Sequence, residues 1–122
     1  MTENRPLSPH LSIYKKVLTS VFSIMHRITG IGLSVGSVLI AIWISLLSLG
    51  SSYFFIFEMV ASTFLFKIIL FFWTIGIFYH LFNGTRYLFW TYGVGMELKT
   101  VYLTGYFVVF LTILSTLIVW VF

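Results

Sequence analysis

The longest uncharged stretch of this sequence limits the folds that are open to it. No charged residue occurs between Arg27 and Glu58, and Ile28 to Leu49 alone would span about 33 Å as an α-helix. This length crosses the hydrocarbon core of a bilayer, which is about 30 Å thick. Over the whole chain, 60% of the residues are hydrophobic and 8% are charged. A soluble domain of this size could not bury so much apolar surface, so we expect lipid to solvate most of the chain.

Turn residues and charges divide the sequence into a polar lead-in and three apolar segments. The lead-in, residues 1–16, has no apolar core and no small-residue cleavage site, so we do not expect a secretory signal peptide. Gly50 begins a turn, and Phe54–Phe57 are expected at the membrane interface. We see no internal repeat and predict a single domain over residues 1–122. The predicted helices cover about residues 21–49, 59–90 and 100–122.

Lysine and arginine are unevenly distributed around these segments. They flank the N-terminal end of the first helix and the second loop, and the first loop and the C-terminus hold none. Because positively charged flanks stay in the cytoplasm, the N-terminus is predicted inside and the C-terminus outside. The predicted fold class is an all-α integral membrane protein with three transmembrane helices, part of a heteromeric helix bundle. The net charge of +4 is then explained by cations that orient the chain in the membrane and contact acidic lipid headgroups. No nucleic-acid partner is expected. The flanking cations are Arg5, Lys15, Lys16, Arg27, Arg86 and Lys99.

The chain contains no cysteine. This excludes disulfides, thiol chemistry and iron–sulfur ligation by this chain. Any cofactor must therefore be held by His, Met, Tyr or one of the few carboxylates.

A histidine lies between two glycines in the second segment. Gly76, His80 and Gly84 are spaced four apart, so they share one face of the helix. The glycines leave a flat trough beside the imidazole, which suits a haem whose iron takes His80 as an axial ligand. The alternative is a small-residue helix contact with a hydrogen-bonded histidine. The spacing alone leaves both interpretations open.

A second polar group lies near the start of the first helix. Ser23, His26, Arg27 and Gly30 share one face, and such groups can bind an anion or a carbonyl. The alternative is that Arg27 is a positive-inside anchor and His26 lies at an interface.

A bound haem would account for both polar groups. Arg86 follows His80 by six residues, about 9 Å nearer the cytoplasm, and we place His26 and Arg27 at a similar depth. All three are then predicted to meet the haem propionates. Because His26 is displaced in depth from His80 in this scheme, the second axial ligand is expected from another chain. Gly32 and Gly36 form a GxxxG pattern that favours close helix approach.

Three motifs resemble one family. They are Arg5–Tyr14 (RPLSPHLSIY), Ser23–Gly30 (SIMHRITG) and His80–Arg86 (HLFNGTR). In this order, and over nearly the whole chain, they are similar to the cytochrome b556 subunit of succinate dehydrogenase, respiratory complex II. Many members have His and then Asp where this chain has Tyr87 and Thr91.

The resemblance implies one of two membrane anchors for a flavoprotein and an iron–sulfur subunit. His80 falls on the axial haem b position, and the second anchor would supply the other ligand. Ser23 and Arg27 fall on positions that line the ubiquinone site, and His26 and Arg27 on positions near the propionates.

The function expected from the resemblance is that of a haem b-containing anchor in succinate:ubiquinone oxidoreductase. The chain would be a subunit of the enzyme and would not oxidise succinate by itself. It would lie in the bacterial cytoplasmic membrane, with the mitochondrial inner membrane as the less favoured location. The alternatives are the anchor of a quinol:fumarate reductase, and a non-catalytic membrane scaffold in which His80 is a packing residue.

Overall fold

A computed structural model of the chain describes residues 17–122. Its four helices are α1 (Leu18–Leu49), α2 (Ser51–Ala61), α3 (Phe64–Thr91) and α4 (Leu98–Val121). α1, α3 and α4 are each long and apolar enough to cross a membrane. The three predicted spans and the all-α membrane class are therefore confirmed. The polar lead-in, with Arg5, His10, Lys15 and Lys16, lies outside the described residues.

The second span begins later than the sequence predicts, at Phe64 and not near residue 59. Residues 51–61 form the separate helix α2. Gly50 ends α1 with a φ of 112°, a backbone conformation that glycine adopts without the steric cost other residues meet. Thr63 is extended and its hydroxyl accepts a hydrogen bond from the Phe66 N–H at 3.4 Å. This N-cap separates α3 from α2 inside a run of apolar residues.

Helix α3 lies between α1 and α4 and packs against both. Its buried residues Tyr79, Asn83 and Arg86 follow a spacing of four and three, so they form one stripe. Phe22 of α1 and Val108 of α4 complete a small core with Tyr79. Gly105 lets Phe22 approach α4, since a Cβ there would lie 2.6 Å from Phe22 Cε2. The start of α1, the end of α3 and the start of α4 thus meet at one end of the bundle.

Two polar side chains of α3 reach the backbone of α1 in this core. The Tyr79 hydroxyl donates to the Phe22 carbonyl at 2.9 Å, and the Asn83 amide approaches the same oxygen at 3.5 Å. Asn83 is fully buried, at 0% exposure. Buried polar groups of this kind fix the register between two apolar helices.

Tyr79→Phe should test the contribution of this hydrogen bond to stability. The substitution keeps the ring and removes the donor, so we expect a loss of about 1 kcal/mol. The measurement is the thermal unfolding midpoint of the purified assembly. Tyr106→Phe, at a tyrosine that is 62% exposed, is the control. Equal midpoints for the two variants would show that the Tyr79 hydroxyl does not hold α3 to α1.

Candidate functional site

The two imidazoles of the described chain stack on each other. The His26 ring from α1 and the His80 ring from α3 have centroids 3.9 Å apart and planes inclined by 8°. The prediction that His26 is displaced in depth from His80 is therefore wrong. That prediction counted residues from the expected helix ends. The axial position of one antiparallel helix against another depends on how their side chains interlock. Counting residues from the helix ends does not give that position.

Glycines allow the rings to approach. A Cβ on Gly84 would lie 3.5 Å from His26 Cε1, and one on Gly30 would lie 3.2 Å from His80 Cε1. Gly76 faces Thr29 instead, at 3.9 Å by the same construction. The trough that the sequence indicates beside His80 is thus filled by α1 in this chain. The proposed role of Gly76 and Gly84 in haem clearance remains a prediction.

His80 is held through its Nδ1 atom. The His26 carbonyl oxygen lies 3.2 Å away, and Thr29 Oγ1 lies 3.3 Å away. The Thr29 hydroxyl is itself within donating distance of the Met25 and His26 carbonyls, at 2.9 and 3.0 Å. Both neighbours therefore act as acceptors, which places the proton on Nδ1 and leaves the Nε2 lone pair available. Histidines that bind metals are held in this way.

His26 has different surroundings. The His26 and Tyr87 rings meet edge to face, with their centroids 5.0 Å apart and their planes at 88°. The His26 Nδ1 atom is buried and has no hydrogen-bond partner among residues 17–122. Ring nitrogen lone pairs lie in the ring plane, so two stacked imidazoles cannot both point at one metal ion between them. In this arrangement His26 is not the second axial partner of His80.

Ser23 and Arg27 lie one turn apart on α1, beside the stripe that carries Phe22 and His26 into the bundle. Ser23 is partly buried and Arg27 is exposed. The described helices leave Arg27 uncovered, so a ligand there would need a further surface to enclose it. The structure therefore brings Ser23 and Arg27 to one face of α1, next to the histidine pair.

Arg86 is not brought together with His26 and Arg27. Its exposure is 6%, and it donates to Thr104 Oγ1 at 3.0 Å, to Asn83 Oδ1 at 3.2 Å and to the Val101 carbonyl at 2.7 Å. Six residues turn a helix by about 240° beyond a full turn, so the face that carries His80 toward α1 cannot also carry Arg86. Its contact with a haem propionate remains a prediction.

Sequence reasoning gave no role to Thr29 or Asn83, which the structure places in this region. Thr29 follows His26 by three residues, a spacing that could have identified it as a neighbour of the histidine face. Asn83, Gly84 and Thr85 match the glycosylation sequon N-x-T, but Asn83 is completely buried, so the motif has no role as a glycosylation site here. The partner of Asn83, the Phe22 carbonyl, has no signal in the sequence.

The fold and the site define a small helical membrane protein that carries imidazole and guanidinium groups within its spans. The chain belongs to the family described as succinate dehydrogenase/fumarate reductase transmembrane subunit, which matches residues 1–119. The resemblance seen in the sequence motifs is thereby confirmed, and the chain is a subunit of an oxidoreductase complex.

Individual relatives are similar to this chain over almost its full length. The succinate dehydrogenase cytochrome b556 subunit of Rickettsia bellii is 41% identical over 117 residues, which cover 96% of this chain and 91% of the relative. The succinate dehydrogenase cytochrome b560 subunit of Reclinomonas americana is 42% identical over 126 residues, which cover 99% of this chain and 88% of the relative. The subunit of the same name from Marchantia polymorpha is 37% identical, and the match covers 90% of this chain and 84% of the relative.

Proposed function

We propose that this chain is the haem b-containing membrane anchor of a succinate:ubiquinone oxidoreductase. The observation that carries the proposal is His80, an imidazole within a membrane span whose Nδ1 is held by two acceptors. Relatives at about 40% identity are named cytochromes of succinate dehydrogenase, which favours this reading over a packing histidine. The proposed partners are a second anchor, an iron–sulfur subunit, a flavoprotein subunit and membrane lipid. The proposed location is the bacterial cytoplasmic membrane, with the N-terminus in the cytoplasm.

The residues present fit a haem shared between two subunits. His80 Nε2 would supply one axial ligand, and the second anchor would supply the other because the ring of His26 is parallel to that of His80. The buried Nδ1 of His26 and the Arg27 guanidinium would serve the propionates. When bound, the haem supplies a one-electron redox group. The resemblance places Arg27 both near the propionates and on the ubiquinone site, so the haem and the quinone would lie close together.

Ser23 and Arg27 would form this chain's part of the ubiquinone site. The Ser23 hydroxyl can donate a hydrogen bond to a quinone carbonyl, and Arg27 can stabilise the negative charge that develops on that oxygen during reduction. A low dielectric strengthens both interactions. Since Arg27 is exposed in this chain, the iron–sulfur subunit and the second anchor would enclose the quinone.

A reduced-minus-oxidised optical spectrum of the purified assembly tests the proposal. We expect a b-type band that succinate reduces, together with co-purified flavoprotein and iron–sulfur subunits. An assembly with no band and no dehydrogenase would contradict the proposal and favour a membrane scaffold. Rates of succinate oxidation and fumarate reduction with matched quinones distinguish the succinate dehydrogenase from the quinol:fumarate reductase alternative.

Ser23→Ala should separate quinone reduction from succinate oxidation. Loss of one hydrogen bond of about 1.4 kcal/mol corresponds to a tenfold change, so kcat/KM for ubiquinone should fall about tenfold. Succinate oxidation with a soluble dye should be unchanged, because the dye does not need the membrane site. Ser34→Ala is the matched control, since Ser34 is exposed on α1 and bonded to the Gly30 carbonyl. Unchanged ubiquinone kinetics in Ser23→Ala would remove Ser23 from the site.

A further inference from the structure

A cavity of about 290 Å³ lies between α3 and α4, beside the loop that joins them. Its walls are mainly aromatic and aliphatic, and they include Phe82, Phe89, Phe107 and Leu111. Phe89 and Phe107 are also exposed on the outer surface of the chain, so the groove is continuous with the lipid-facing side. Arg86 contributes a permanent positive charge to this apolar lining.

The charge of Arg86 is buried without an anion among the described residues. Its three hydrogen-bond partners, Thr104, Asn83 and the Val101 carbonyl, are all neutral. A guanidinium carries five N–H donors, so two remain for a ligand. The acids of the described part, Glu58 and Glu97, are both exposed. A charge inside a bilayer is costly, so such residues normally pair with a counter-charge or backbone carbonyls, or serve a functional ligand. Arg86 has the Val101 carbonyl and no counter-charge among the described residues.

The depth of Arg86 suits a lipid headgroup. Thr91, the last residue of α3, follows Arg86 by five positions, so Arg86 lies about 7.5 Å from that end. The guanidinium lies over the Trp90 ring, 4.3 Å from its centroid. An aromatic ring with a neighbouring cation is typical of the boundary between hydrocarbon and headgroups. A ligand that places an anion on Arg86 and apolar carbon against Phe107 and Leu111 must be amphiphilic.

We propose that the groove between α3 and α4 binds an anionic phospholipid, with its phosphate on Arg86 and the start of an acyl chain along Phe107 and Leu111. The inference rests on the membrane fold and not on the proposed redox function. A phosphate accepts the two free N–H donors in a charge-assisted contact. The predicted orientation places this end in the cytoplasmic leaflet, where anionic lipids concentrate.

Lipid counting by native mass spectrometry of the purified assembly tests the proposal. We expect one retained anionic phospholipid per copy of this chain in the wild type, and about tenfold less in Arg86→Gln. Leu111→Trp, which fills the groove and leaves the hydrogen bonds of Arg86 in place, should lose the lipid as well. The Leu111→Trp variant therefore tests the proposal independently if Arg86→Gln fails to assemble. Lys99→Gln removes a surface cation at the same end and should retain the lipid.

A titration of delipidated assembly identifies the ligand class. Phosphatidylglycerol should raise the thermal midpoint, whereas phosphatidylcholine and inorganic phosphate should not. An equal rise with inorganic phosphate would overturn the lipid assignment in favour of a simple anion site. Absence of bound lipid in the wild type would overturn it too, as would equal retention in Arg86→Gln and Lys99→Gln. Loss of the haem band in Arg86→Gln with the lipid count unchanged would instead assign Arg86 to a propionate.

Discussion

Replacement of His80 by alanine is expected to remove the b-type band from the purified assembly almost completely. The Nδ1 atom of His80 is held at 3.2 Å from the His26 carbonyl and 3.3 Å from Thr29 Oγ1, which leaves Nε2 as the only ring nitrogen able to bind iron. The ring of His26 lies parallel to that of His80, so its in-plane lone pairs are not directed at an iron bound by His80 Nε2. The measurements are the reduced-minus-oxidised spectrum and the haem-to-protein ratio.

His26→Ala is the matched control, because it removes the other ring of the stack. We expect the band to remain, with a changed redox potential if His26 serves a propionate. A band that survives His80→Ala and disappears in His26→Ala would transfer the axial role to His26. Loss of the band in both variants, with the subunits still assembled, would show that the stack as a whole is needed to position the ligand.

Replacement of Gly36 by alanine is expected to destabilise the contact between α1 and α3. A Cβ at this position would overlap Cε2 and Nε1 of Trp73, so the indole or a helix must move. Overpacking of this kind costs about 1–3 kcal/mol. We expect a lower thermal midpoint and a lower yield of the complete assembly.

Gly32→Ala is the control on the same helix. A Cβ there meets nothing within 4 Å in this chain, so the GxxxG pattern does not act as one unit within it. Similar midpoints for Gly32→Ala and Gly36→Ala would contradict the proposed clash. The double variant Gly36→Ala with Trp73→Leu should recover part of the stability, because removal of the indole relieves the contact. A drop with Gly32→Ala alone would indicate that a partner helix covers Gly32.

The sequence predicts the three spans well because membrane crossing depends on length and apolar content, and both can be read residue by residue. The helix α2 is not predicted, since its residues are as apolar as those of the spans and the break at Thr63 depends on a local cap. The stack of His26 on His80 is also beyond sequence reasoning. Helical spacing gives the face on which a side chain lies, but not its level against a second helix.

Arg86 illustrates the same limit for electrostatics. Its charge and its place near the end of a span can be read from the sequence. Its neighbours Thr104 and the Val101 carbonyl come from α4, and no local pattern specifies them. The propionate role predicted for Arg86 rests on its charge and its depth alone, whereas the structure places Arg86 on a different face of α3 from His80.

The histidine stack has a local twofold symmetry. His26 and Gly30 on α1, and His80 and Gly84 on α3, share the pattern H-x-x-x-G, and each imidazole lies against the glycine of the other helix. Symmetry alone would make the two rings equivalent. The third residue after each histidine breaks it: Thr29 contacts His80 Nδ1, whereas Asn83 turns to the Phe22 carbonyl and Arg86. His80 Nδ1 is thereby held by acceptors, whereas His26 Nδ1 has no hydrogen-bond partner among residues 17–122. A symmetric frame thus yields two chemically distinct histidines.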